Sequence, residues 1–145
     1  AIGAQCQITT MPGYLPALSA EANEEVLASA QIASQSSKKD YEVVKQDTTA
    51  HSGGSTDVGD VQHLQPVLTF NTGGKVSGLH SVDFDIVDDE LAYVVTAKIF
   101  ALSAYRLLKN GAEKAKEVVE NYHPIFTKEA YIQYMDSFIS ESRDL

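Results

Sequence analysis

An α/β layer architecture, with a few short strands packed against helices, is the fold class this sequence predicts. Two observations carry that expectation. Short runs rich in β-branched and aromatic residues alternate along the chain with longer stretches whose apolar residues recur at helical spacing. The composition, 43% hydrophobic and 21% charged over 145 residues, is that of a globular chain long enough to bury a substantial core, and one domain over 1–145 is expected.

Taken in order, Gln5 to Thr10 alternates loosely and meets a turn signal at Met11-Pro12-Gly13, so it reads as a short strand. A helix is expected from Ser19, whose hydroxyl can cap it. Glu21, Glu24 and Glu25 then lie where the helix dipole favours negative charge, and Val26, Ala30 and Ala33 recur at helical spacing as far as the polar run Ser34 to Lys39. Tyr41-Glu42-Val43-Val44 reads as a strand. Gln46 to Asp60 is polar, glycine-rich and too long for a simple connection, and loops of that length are usually functional or disordered.

Val67-Leu68-Thr69-Phe70, preceded by Pro66, is a second strand candidate, and Asn71 to Gly78 with its three glycines is another loop. The clearest element follows. Asp88 or Asp89 can cap a helix in which Leu91, Val95, Ile99, Leu102 and Tyr105 form one apolar stripe, and Asn110-Gly111 supplies the stop. Glu113 to Asn121 is a shorter charged helix halted by Pro124. Thr127 opens an amphipathic helix reaching Ser140.

Charge and hydropathy exclude several function classes. Eleven Lys and Arg against 20 Asp and Glu give a net charge of −9 with no basic stripe, so no nucleic-acid partner is expected. The most apolar stretch, Leu91 to Leu108, is interrupted by Lys98 and Arg106, and nowhere do about 18 uncharged apolar residues run together, so no membrane span is expected. The single Cys6 cannot form an internal disulfide, which fits a reducing compartment and gives cytoplasm as the expected location.

Three of the four histidines, His51, His63 and His80, fall in or beside the glycine-containing loops, near Asp57, Asp60, Asp83 and Asp85. Imidazole and carboxylate are zinc ligands. The spacing from His51 through Asp57 and Asp60 to His63 matches neither the i, i+4 pair of a zinc-binding helix nor a finger, and it favours solvated loop histidines over ligation by all three. His123, beside Pro124 at a helix end, favours the local dipole. Gly53-Gly54-Ser55-Thr56-Asp57 carries Asp57 where a nucleophile elbow needs glycine, which disfavours a serine hydrolase. Gly73-Gly74-Lys75 is followed by Val76 where a phosphate loop needs Ser or Thr. Both segments read more simply as tight turns in which glycine permits positive φ. Asp83 and Asp85 read as turn and cap residues.

One further pattern spans these motifs. Gly54-Ser55-Thr56-Asp57-Val58-Gly59-Asp60-Val61, then Pro66 and a short apolar run, then Gly78-Leu79-His80-Ser81 with Phe84-Asp85, then a helix rich in Ala and Leu, resembles the C-terminal part of the zinc-dependent aminoacylase and carboxypeptidase family of amidohydrolases. The G-S-T-D-V-G-D-V loop is most similar to the p-aminobenzoyl-glutamate hydrolase branch. Ile8 to Pro16 is similar to the point where that family's inserted lid and dimerisation domain returns to the catalytic domain, which would make 1–16 a junction. The resemblance covers most of residues 4–110.

It implies a truncated, hydrolase-like or phosphorylase-like partial catalytic domain that would act on N-acyl amino acids or small peptides. His80 matches the family's last metal ligand in a two-zinc site, and Ser55, Thr56 and Asp57 match a loop that positions substrate, with Asp60 as support. In a complete enzyme a metal-bound hydroxide would attack the amide carbonyl while the metals stabilise the oxyanion. The family's other ligands and its general base come from a segment with no counterpart in this sequence, so the chain alone is expected to be inactive. A truncated domain also exposes apolar surface, which favours homo-oligomers. Two other readings remain open: a stand-alone, non-catalytic binding or assembly domain that uses the loops for a small ligand or the helices for a partner, and a plain α/β domain with a chance likeness.

Overall fold

The computed structural model describes residues 3, 7–8, 11–18, 23–45, 47, 56–78, 80–138 and 143–144. In chain order their elements are β1 (Gln7–Ile8), α1 (Glu24–Gln35), α2 (Val58–Gln62), β2 (Lys75–Val76), β3 (Asp85–Ile86), a π-helical turn (Glu90–Val95), α3 (Thr96–Glu120), α4 (Lys128–Asp136) and β4 (Arg143–Asp144). This is a mixed, helix-rich set. The strands form two antiparallel ladders of two residues each, β1 with β4 and β2 with β3. The sheet layer expected of an α/β fold is not among the described residues. Residues 41–44 and 67–70, both expected as strands, run without a ladder, because strand geometry is held by a neighbouring strand and neither segment has one.

The chain divides into two compact units, one built from Ala1–Leu18, Ser52–Val67 and Tyr122–Leu145, the other from Ser19–His51 and Leu68–Asn121. In the second unit α1 starts at Asn23, whose side-chain oxygen accepts from the Glu25 and Val26 amides at 2.9 and 3.3 Å. That corrects the expected cap, Ser19, which lies outside the described residues. Glu24 and Glu25 fill the first turn as the dipole favours.

Opposite α1, the Asp88 carboxylate accepts from the Leu91 amide at 3.1 Å and opens the long helical stretch, as the sequence predicts. Ala33, Val95 and Ile99 are the buried apolar residues between the helices, with Ala30, Tyr41, Phe70, Leu91 and Leu102 packed on them. Tyr105 does not continue this stripe. It is 66% exposed, and Arg106 takes the next inward place, its Nε 2.7 Å from the Glu25 carboxylate. The spacing explains the correction: from Leu102, one more helical turn reaches 106 rather than 105. Neither atom of that close pair makes a hydrogen bond, so charge attraction holds it.

The expected stop is present. Asn110, Gly111 and Ala112 all have positive φ, which breaks the helical path inside α3 and starts a second run ending at Glu120. By length and composition Glu90–Glu120 is nonetheless long and apolar enough to cross a membrane, which corrects the expectation drawn from uninterrupted apolar run length. The two cations within its apolar part are engaged by α1 and the turn that ends it, Arg106 with Glu25 and Lys98 with the Ser36 carbonyl at 3.0 Å.

The first unit is organised by α2. The chain expected to loop through Asp60 turns helical at Val58. Gly59 lies so close to the 15–17 backbone that a Cβ there would meet the Leu15 carbonyl oxygen at 2.0 Å. Asp60 accepts from the Leu15 amide at 2.8 Å. Gln62, 3% exposed, accepts from the Leu18 amide at 2.8 Å and donates to the Leu18 and Val67 carbonyls at 3.1 and 3.3 Å. Thr127 caps α4 by accepting from the Ala130 amide, as predicted. Phe126 stacks on Tyr134 with ring centres 5.2 Å apart.

Candidate functional site

His80 sits on the eight-residue connection between β2 and β3, in the second unit. The ladder register pairs Lys75 with Ile86 and Val76 with Asp85, so the loop between them is fixed at both ends. Ser77 and His80 both have left-handed backbone, φ 65° and 66°. Such a conformation in a non-glycine residue costs about 1–3 kcal/mol, and residues held this way concentrate at functional sites. The Ser81 amide donates to the Gly78 carbonyl at 3.3 Å and the Phe84 amide to the Ser81 carbonyl at 3.2 Å, which closes the turn around the imidazole. The ring is exposed and makes no hydrogen bond among the described residues. Asp83 is exposed on the same loop, its amide donating to the Ser81 hydroxyl at 3.2 Å, and the Asp85 carboxylate accepts from the Ile86 amide at 2.8 Å. These are turn contacts, as the sequence predicts for both.

Thr56 and Asp57 belong to the other unit, at the entry to α2. Both are exposed, and the Thr56 hydroxyl accepts from the Val58 amide at 3.3 Å. Ser55, and with it His51 and most of the nucleophile-elbow segment, lies outside the described residues. Asp60 does act as support: besides holding the Leu15 amide, it bonds the Tyr131 hydroxyl, and burial together with that carboxylate raises the Tyr131 pKa.

His63 departs from the solvated loop histidine that its spacing favours. It is 7% exposed at the C-terminal end of α2, where its Nδ1 donates to the Gly59 carbonyl at 2.7 Å and its ring lies 6.1 Å from that of Phe126. The Ile125 and Phe126 amides donate to its carbonyl. This is a packing histidine. His123 is exposed, in keeping with its reading.

Neither protein-family models nor curated proteins nor solved structures match this chain. Its own geometry must therefore carry the site. Among the described residues no group of three or more His, Cys, Asp or Glu side chains is placed to hold a metal ion. Catalytic zinc takes three protein ligands and leaves one position open, so these residues do not by themselves fit a zinc centre.

Sequence reasoning missed a cavity of about 660 Å³ in the second unit. α1, the π-helical turn and α3 supply an apolar floor that includes Ala30, Leu91, Val95 and Ile99, while residues 41–45 and 68–73 line the rest. That volume lies in the range of small-ligand sites. Tyr41 is fixed at its edge. Its hydroxyl donates to Asp88 at 3.0 Å and its carbonyl accepts from the Ser34 hydroxyl, and burial followed by the Asp88 bond raises its pKa. The signal was present in the sequence as two β-prone runs flanking apolar helices, but only their pairing state reveals a cavity.

Proposed function

We propose that the chain is the C-terminal part of a zinc-dependent amidohydrolase that cleaves amide bonds in N-acyl amino acids or small peptides, and that it is inactive alone. The observation that supports this reading is His80: an exposed imidazole, without a hydrogen bond among the described residues, on a turn whose backbone is left-handed at two non-glycine positions. A buried or bonded ring could not serve. His80 would supply one metal ligand, and Ser55, Thr56 and Asp57 would position substrate. The remaining ligands and the general base would come from residues outside this sequence.

The test is an assay of the isolated chain with added zinc against N-acyl amino acids. No turnover above the uncatalysed rate is expected, whereas ordinary enzyme turnover, about 1–10³ s⁻¹, would show that no further segment is needed. In a longer polypeptide that carries a metal-ligand segment, His80→Ala should abolish activity without changing the thermal midpoint; retained activity would remove His80 from the metal site. The cavity of about 660 Å³ favours a second reading, a binding module that works without catalysis.

A further inference from the structure

Residues 41–45 and 68–72 have strand composition and no strand partner. Val43, Val44, Thr69 and Phe70 are residues that favour a pleated ladder. Yet among the described residues the backbone amides of 42–45 and 68–72 donate to nothing, and the one backbone bond made there by either stretch is the Tyr41 carbonyl accepting from Ser34. Local preference and observed pairing conflict, and such conflicts mark places where something else completes the fold.

Both stretches line the cavity above its apolar floor. A ligand suited to that arrangement is apolar in its side chains and brings its own amide donors and acceptors, which is the description of an extended polypeptide. Water can satisfy the peptide groups but gains nothing from the floor. A purely apolar molecule fills the floor and leaves the peptide groups unmatched. Charge decides the source of the strand. At net −9 the chain repels its own copy, so a strand from a neutral or basic partner is favoured over self-pairing.

We propose that this groove binds an extended strand of a partner protein, apolar at alternate positions and without net negative charge, by adding it to the unpaired backbone of residues 41–45 and 68–72. The interaction is independent of His80 and of any metal.

The test uses the 145-residue chain and a labelled probe, acetyl-Val-Lys-Val-Lys-Val-Lys-Val-amide, with a control carrying proline at a central valine. Amide hydrogen exchange at 42–45 and 68–72 should slow at least about tenfold at saturating probe and stay unchanged with the control, since proline removes a ladder donor. Val44→Pro should weaken probe binding by about tenfold or more in fluorescence anisotropy. Val44 is 71% exposed and donates no hydrogen bond in the free chain, so the fold tolerates the change. Thr69→Pro, at an exposed position, makes the same test on the other stretch. Three results would each overturn the proposal: no protection by the probe, undiminished binding by both proline variants, or protection that rises with protein concentration alone and so identifies a second copy as the occupant.

Discussion

Replacing Gln62 by Leu keeps the bulk of the side chain and removes a three-point clamp. The amide accepts from Leu18 and donates to the Leu18 and Val67 carbonyls, at distances between 2.8 and 3.3 Å, from a position 3% exposed. Each net hydrogen bond is worth about 1 kcal/mol, and a buried group left unpaired costs about 1–3 kcal/mol. Leu18 and Val67 are half-buried, so water recovers part of the loss. The expected destabilisation is therefore about 2 kcal/mol rather than the sum of three full penalties. Urea unfolding followed by circular dichroism gives the energy, and hydrogen exchange at the Leu18 amide locates it. Gln62→Glu sharpens the test: the carboxylate still accepts from Leu18 but faces two carbonyls at neutral pH, so this variant should be less stable than Gln62→Leu there and recover as acid protonates it. Stability within about 0.5 kcal/mol of the parent, with unchanged Leu18 exchange, would refute the clamp.

Single contacts elsewhere carry further expectations. Gly59→Ala places a methyl 2.0 Å from the Leu15 carbonyl oxygen and should cost at least about 1–3 kcal/mol, measured by thermal unfolding, with chemical-shift changes concentrated at residues 15–17. Arg106→Met keeps the aliphatic stem but strands the part-buried Glu25 carboxylate, and should cost about 1–3 kcal/mol, most of it recovered in the double variant with Glu25→Gln; equal losses in single and double variants would deny the coupling. Asp88 is held below the ordinary aspartate pKa, first by the Lys39 hydrogen bond at 2.7 Å and next by the Leu91 amide. Its contribution is present above the unfolded pKa and is lost as pH falls through the depressed folded value, so the thermal midpoint of the parent should drop on acidification more steeply than that of Asp88→Asn.

The parts of the fold legible in the sequence were those governed by neighbours along the chain. Asp88 and Thr127 as caps, the break at Asn110-Gly111 and the inward run from Leu91 to Leu102 all depend on residues within a turn or two. The turn at Gly74 also fits, with φ 89° and so little room that a Cβ there would lie 2.7 Å from the Asp88 carbonyl oxygen. What could not be read depends on distant partners. Tyr41-Glu42-Val43-Val44 has strand composition, but whether it joins a ladder is decided by another segment. His63 looks like His80 in spacing and composition; only the approach of Phe126 and the Gly59 carbonyl makes it a packing residue. For the candidate site, the exposure of His80 and its left-handed backbone were not legible, since glycine-rich neighbours permit many turns.

A zinc titration of the isolated chain, followed through its histidine ring resonances by NMR, puts the proposed role of His80 to the test without any other segment. A ring shaped for ligation should respond first, so the His80 imidazole is expected to shift at the lowest zinc concentrations, ahead of the exposed His123, while His63 stays unmoved behind its Gly59 bond. A titration in which His80 remains silent while another histidine takes the metal would contradict its assignment as a zinc ligand.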